Sequence, residues 1–243
     1  MRNEIKVLLG TIALGPVLFW GPRVLEDVAG LDVFRISRVD VSGAYYVTSD
    51  AVIEQLGLGP LASVWGDRDA WAERVAEHPL ILEAEVRRRL PNRLRVTVRE
   101  RRPVAFAATP TLEALDAEGV RLPIDPSRTA LDLPVIAAGE MPPADAAVFP
   151  AEVRRLASEL EYLTGIDEDF VTRISTVRYA ADGALKMELL QPEVDFLMPS
   201  RTPIDRLREG RAALQHAIAF DPGHPPSVVD LRFAGQVVVR RAK

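Results

Sequence analysis

From Val7 to Pro22 the chain runs about sixteen positions without a charge, VLLGTIALGPVLFWGP, between Lys6 and Arg23. A helix crossing a hydrocarbon core needs roughly 20 apolar residues, with about 17 as the lower limit. Ile5 lengthens the run, and the long side chains of Lys6 and Arg23 can reach outward to the headgroups, so a short span is feasible. Phe19 and Trp20 fall at its distal end, where aromatic rings suit the interface, and Gly15-Pro16 would kink it. Arg2 and Lys6 on one side, against Arg23, Glu26 and Asp27 on the other, favour an N-terminus inside and a body outside. A cleaved signal peptide and a buried core helix are the competing readings. Against the first, Val28-Ala29-Gly30 is a poor small-residue cleavage site. The expectation is a retained anchor at 7–24, preceded by a short tail at 1–6 and followed by a linker at 25–33.

The remainder has globular composition, 48% hydrophobic and 27% charged, in a chain of 243 residues that suits one large or two modest units. A formal net charge of −5 gives no global cationic field, so no nucleic-acid partner is expected. With no cysteine, disulfide frameworks, thiolate metal sites and cysteine nucleophiles are all excluded. His78, His216 and His224 are scattered, and neither a metal nor a cofactor is expected.

Past the linker the pattern alternates. Phe34 and Ile36, then Val39 and Val41, predict a strand with a one-residue phase slip, ended by Gly43. Thr48 or Ser49 can cap a helix carrying Val52, Ile53 and Leu56; a second, about 68–77, places Trp71 and Val75 on one side. His78-Pro79 stops it. Ile81 to Leu90 and Leu94 to Val98 predict paired strands about a Pro91-Asn92 turn, with Arg95, Thr97 and Arg99 on the solvent side. After Pro103, short strands are expected at 104–108, 111–115 and 120–124, with an apolar piece at 133–136. Val153, Leu156, Leu160 and Leu163 predict a helix stopped by Gly165. A meander at 174–179, 184–190 and 194–198 precedes a helix from Thr202-Pro203, striped by Leu207, Arg211, Leu214 and Ile218. A hairpin of 228–232 and 236–240 closes the chain.

Enzymatic signatures are missing. Gly57-x-Gly59-x-x-Ala62 has the letters of a dinucleotide fingerprint, but it ends a helix and contains Pro60, so a glycine-rich helix stop is expected. No Walker loop, HExxH or GxSxG occurs. Asp116 and Glu118, two apart on a turn, are expected to be solvated. Eight arginines lie between Arg87 and Arg102, with Glu100 the lone acid there. The expected role is a solvated strand face, partly paired by Glu83 and Glu85; the functional alternative is contact with a protein or with lipid headgroups.

Phe34-x-Ile36-x-x-Val39-x-Val41-x-Gly43 resembles the opening of an FtsQ-type POTRA domain. His78-Pro79, Ala84-x-Val86-x-Arg88-x-Leu90-Pro91 and Leu94-x-Val96-x-Val98-x-Glu100-Arg101-x-Pro103 continue the likeness in order. Leu115-Asp116-x-x-Gly119, Leu133-Pro134-Val135-Ile136 and finally Val229-Asp230-Leu231-Arg232-Phe233 with Val237-Val238-Val239 are similar to segments of the β domain of the FtsQ/DivIB cell-division family. The resemblance implies an α+β chain: one N-terminal transmembrane helix, a small POTRA domain (β-α-α-β-β) at 34–102, and a mostly antiparallel β domain with flanking helices at 103–243.

It further implies a non-catalytic, single-pass (type II) division protein of the inner, cytoplasmic membrane at the septum, its body extracytoplasmic. Such a protein joins FtsB and FtsL-like partners, and through them septal peptidoglycan synthase. The partner is expected as an added strand on the last hairpin, at Arg232, Phe233, Gln236, Val237, Val238, Val239 and Arg240, with Phe233 either an apolar anchor or ordinary core. The likeness departs from the family in a short anchor, a minimal leading tail and no long closing tail, with Arg240 and Arg241 guarding the last edge. A POTRA-bearing translocation or assembly factor and an anchored wall hydrolase are the alternative functions. Alkaline phosphatase fused after Lys243 is expected to be active in cells; an expressed but inactive fusion reverses the orientation.

Overall fold

The computed structural model describes residues 31–109, 111–125, 129–139 and 146–241, so the anchor expected at 7–24 lies outside the described residues. Among the described residues no helix is long and apolar enough to cross a membrane. The chain divides between Glu100 and Arg101 into two compact units.

The first unit runs β1 (Arg38–Ser42), α1 (Ser49–Gln55), α2 (Arg68–Ala76), β2 (Ile81–Arg89) and β3 (Arg93–Glu100). Its sheet has the order β1-β3-β2, with β1 parallel and β2 antiparallel to β3. Leu94, Val96 and Val98 are buried while Arg93, Arg95, Thr97 and Arg99 face solvent, the alternation expected of a half-covered sheet. A one-residue slip would expose all three apolar side chains, each worth roughly 1.5–3 kcal/mol when buried. The Thr48 hydroxyl accepts from the Ala51 amide to start α1, and the Asp67 carboxylate accepts from Asp69 and Ala70 to start α2. Gly57, at φ 62°, closes α1, which is the helix stop expected in place of a nucleotide loop.

Phe34 and Ile36 do not join the strand. Asp32–Phe34 forms a 3-10 turn, Arg35 bridges Ser63, and the Ile36 amide donates to Ala62 O at 2.9 Å. The apparent phase slip is therefore a change of partner: 34–36 pair with the α1–α2 connection, and only from Arg38 does the sheet take over.

Beyond β1, Gly43 sits at φ 87° with its missing Cβ only 2.1 Å from Val98 O, so any side chain there would strike the backbone of β3. The Glu100 carboxylate then gathers the amides of Tyr45, Tyr46 and Val47 at 2.8–2.9 Å, tying the β1–α1 loop to the end of β3.

The second unit carries β4 (Ala105–Ala108), β5 (Leu112–Leu115), β6 (Arg121–Leu122), β7 (Val135–Ile136), α3 (Ala151–Ile166), α4 (Glu168–Val171), β8 (Ile174–Tyr179), β9 (Leu185–Leu190), β10 (Glu193–Met198), α5 (Ile204–Phe220), β11 (Pro226–Asp230) and β12 (Val238–Arg241). One sheet holds all its strands, in the order β12-β11-β10-β9-β8-β7-β4-β5-β6. Pairing is antiparallel except at β4/β7, β7/β8 and β10/β11. Leu156, Leu160 and Leu163 of α3 and Leu207 of α5 join Val177, Met187, Phe196 and Val229 in one core, where Phe170 meets Phe196 edge-on at 5.2 Å. On the alternate side of β9 and β10, Lys186 pairs with Glu188 and Asp195.

Two expectations fail here. α3 runs through Gly165, which has open space around it, and ends where Asp167 caps α4 by accepting from the Phe170 amide. Asp116 is buried, not solvated: one oxygen accepts from the Val120 amide at 2.7 Å and the other pairs with Arg101 at 2.6 Å. Its turn is folded over its own carboxylate, so solvent is replaced by two strong donors.

Glu100→Ala is expected to orphan three loop amides and destabilise the first unit by about 2 kcal/mol, with Glu100→Gln milder because one acceptor oxygen remains. Hydrogen exchange of the 45–47 amides in the full chain measures this; unchanged protection in Glu100→Ala would contradict it.

Candidate partner-binding edge

The nine-stranded sheet ends at β12, whose described neighbour is β11 alone. β11 lies there because α5 carries the chain back across the sheet, so that Asp195, Phe196 and Leu197 of β10 run parallel to Val228, Val229 and Asp230. β12 then returns antiparallel, with Val239 opposite Val229 and Val238 opposite Asp230. The expected hairpin thus exists with shifted ends: Leu231 and Arg232 lie beyond β11, and Gln236 and Val237 fall in the connection instead of the strand.

That connection is held by charge. Asp230 is fully buried, and its carboxylate accepts from Arg232 Nη2 at 2.6 Å, Arg232 Nε at 2.8 Å and Arg240 Nη2 at 2.7 Å. Hydrogen bonding from Arg232, aided by the Arg232 charge and a hydrogen bond from Arg240, holds this carboxyl below the ordinary aspartate range against the cost of burial. The same contacts push the Arg232 guanidinium up, and Arg232 also pairs with Asp182. From α5, Arg206 Nη2 donates to the carbonyls of Phe233 at 2.6 Å, Leu231 at 3.4 Å and Gln236. These donors fasten the carbonyls of the connection to α5.

The seven expected residues therefore separate. Arg232 and Arg240 serve their own unit by neutralising Asp230. Val237 packs against the core. Phe233 is exposed, 45% accessible, with the Arg232 guanidinium 5.8 Å from its ring, and is not ordinary core. Gln236 is exposed, and Val238 and Val239 are half-buried along the edge. Arg241, expected as a guard, is exposed but bonded to its own unit, donating to His224 O at 2.8 Å and Ala217 O at 3.3 Å. With both arginines drawn onto the unit, the outer backbone of β12 is uncovered among the described residues.

Sequence reasoning missed Asp230 and Arg206. Asp230 sits in an alternating strand with Arg232 two residues on, a spacing that could have suggested a pair; Arg206 carries no signal, since an arginine early in an amphipathic helix reads as solvated. Among the described residues, no three His, Asp or Glu side chains gather as metal ligands would.

A three-stranded unit with two helices, followed in the chain by a large mixed sheet, is the build of a POTRA-bearing protein. The family described as "POTRA domain, FtsQ-type" matches residues 34–101. The chain is 30% identical to the cell division protein FtsQ of Rhodothermus marinus over 86% of its own length and 79% of that protein. It is 28% identical to FtsQ of Salinibacter ruber over 96% of this chain and 90% of the relative. Cell division protein DivIB of Geobacillus kaustophilus matches at 29% over 80% and 78%. The chain belongs to the FtsQ/DivIB family of cell division proteins.

Asp230→Asn is expected to destabilise the second unit by about 3 kcal/mol at neutral pH, since two arginines lose their countercharge at a buried site. Because the folded carboxyl titrates below its unfolded value, its stabilisation is present above the ordinary aspartate range and lost as pH falls through the lowered one. Wild type and variant should therefore converge in acid; a difference that persists there refutes the assignment.

Proposed function

We propose that this chain is a membrane-anchored cell-division scaffold without catalysis of its own. The segment 7–24 anchors it in the cytoplasmic membrane, the body lies outside the cytoplasm at the septum, and the open side of β12 takes a strand from an FtsB or FtsL-like partner. In this way it links divisome assembly to septal peptidoglycan synthesis.

The carrying observation is the position of β12 at the end of the sheet with its arginine side chains bonded to their own unit. An edge strand has unpaired amides and carbonyls, and an added strand satisfies them while side-chain contacts select the partner. β6, at the opposite end, is two residues long, too short for a ladder. β2 of the first unit is a longer edge, but its solvent face carries Glu83, Glu85, Arg87 and Arg89, charges that discourage pairing. β12 has half-buried Val238 and Val239, one on each face of the strand, and Phe233 is exposed in the connection before it.

Successive amides of an antiparallel edge alternate between the neighbour and the open side, so one of Val238 and Val239 donates outward. Proline at the outward position is expected to weaken partner capture by the full-length protein at least tenfold, about 1.4 kcal/mol, with the fold intact by circular dichroism. Proline at the other position breaks β11 pairing instead. If neither variant changed the affinity for an FtsB-like partner, strand addition at this edge would be wrong.

A further inference from the structure

We infer that the first unit lays one end on an anionic lipid surface. The inference rests on the proposed anchor and concerns three segments that the fold brings together: 31–38, 61–66 and 88–93. Arg35 bridges Ser63, the Val64 amide donates to Phe34 O at 2.9 Å, and the Ser37 amide donates to Asn92 O at 2.9 Å. Arg88 clamps the middle segment, with Nε on Val64 O at 2.6 Å and Nη2 on Gly66 O at 2.9 Å. Trp65 stands between the Arg88 guanidinium, 5.5 Å from its ring, and the Phe34 ring at 5.7 Å.

Two properties coincide at this end. The first is exposed apolar surface: Leu31, Val33, Leu61, Trp65 and Leu90 are 52%, 52%, 69%, 44% and 60% accessible. Among the described residues, the other large apolar side chain exposed in this unit is Tyr45, in the β1–α1 loop beyond the opposite end of β1. The second is unbalanced positive charge. Register places Arg38 beside Arg93 and Arg93 beside Arg89, a row of three exposed arginines across all three strands. Like charges directly opposite one another destabilise a sheet. The next row holds Asp40, Arg95 and Arg87, and the one after it Ser42, Thr97 and Glu85. Positive charge thus falls over these three rows, and the Arg99–Glu83 pair beyond them is balanced.

Acids there are already engaged: Asp32 pairs with Arg35 at 2.9 Å and Asp67 caps α2. Among the described residues no carboxylate pairs with Arg38, Arg89 or Arg93, whereas Arg87 and Arg99 have Glu85 and Glu83. Leucine, valine and tryptophan rimmed by arginine is the composition that seats at a headgroup boundary, and anionic lipid supplies the missing countercharge. The tether is short. From 24 to 31 seven residues span at most roughly 25 Å at about 3.6 Å each, so an anchor ending there keeps this end near the bilayer.

The absence of cysteine allows a single clean probe. Leu61→Cys, Leu90→Cys and Tyr45→Cys, each in the full chain, are labelled with an environment-sensitive dye. Each is reconstituted into vesicles of phosphatidylcholine alone or with phosphatidylglycerol at about three to one. Dye at 61 and 90 is expected to brighten, and to be quenched by spin-labelled lipid, in the anionic vesicles, while dye at 45 does neither. Arg89→Gln and Arg93→Gln should each reduce the docked population roughly fivefold, from about 1 kcal/mol per arginine near such a surface. Protein that floats with vesicles but responds equally at 45, 61 and 90 overturns the surface and spares the anchor. A response at 61 and 90 that is the same in both lipids overturns the anionic preference. Protein that floats with neither overturns the anchor, and this inference with it.

Discussion

A carboxylate taken out of water must be met by positive charge or it will not stay ionised, and Asp230 is where the second unit meets that demand. Arg232 reaches it from the connection and Arg240 from β12, so the ion cluster ties β12 and the connection to β11 as well as neutralising a buried group. Arg206 adds donors from α5 to the carbonyls of the connection. β12 depends on these contacts because it has one neighbour and only four residues. An edge strand built from propensity alone would fray; here the side chains that could have covered the open backbone are used to fasten the strand from behind.

The two units divide their chemistry along different axes. In the first, the sheet is asymmetric along the strand direction, with arginines gathered at the end where the chain begins its folded course and acids appearing toward the other. In the second, the asymmetry runs across the strands, from the two-residue β6 to the four-residue β12. A gradient along the strands offers a charged end, suited to a flat polyanionic surface. A gradient across them offers backbone, suited to another strand.

Much of this was legible because period-two burial writes itself directly into residue order. The alternation of Leu94, Val96 and Val98 placed them on one face, the run 194–198 marked a strand, and the three-and-four spacing of Leu156, Leu160 and Leu163 located α3. What could not be read was partnership. Phe34 and Ile36 look like strand, but Phe34 closes a 3-10 turn and the Phe34 carbonyl and Ile36 amide bond to 62–64, a choice made by the fold. Asp116 has the local sequence of a solvated turn, and only the arrival of Arg101 makes its burial tolerable. Gly165 looks like a helix stop, yet the cap comes from Asp167, whose carboxylate also meets Arg211 of α5.

The closing hairpin shows the same limit at the site itself. Sequence located a closing strand here, because Val237 to Val239 are β-branched and apolar, but began it two residues early. It assigned one role to seven neighbouring residues, since adjacency in a chain suggests a shared surface. A hairpin connection does not preserve that adjacency: Arg232 turns inward to Asp230 while Phe233, one residue later, turns out. Binding by strand addition needs very little from these side chains beyond keeping the strand in place and leaving its outer side clear. A surface of that kind is specified by the residues behind it, and so charged groups that never touch a partner can decide whether the edge is there to be used.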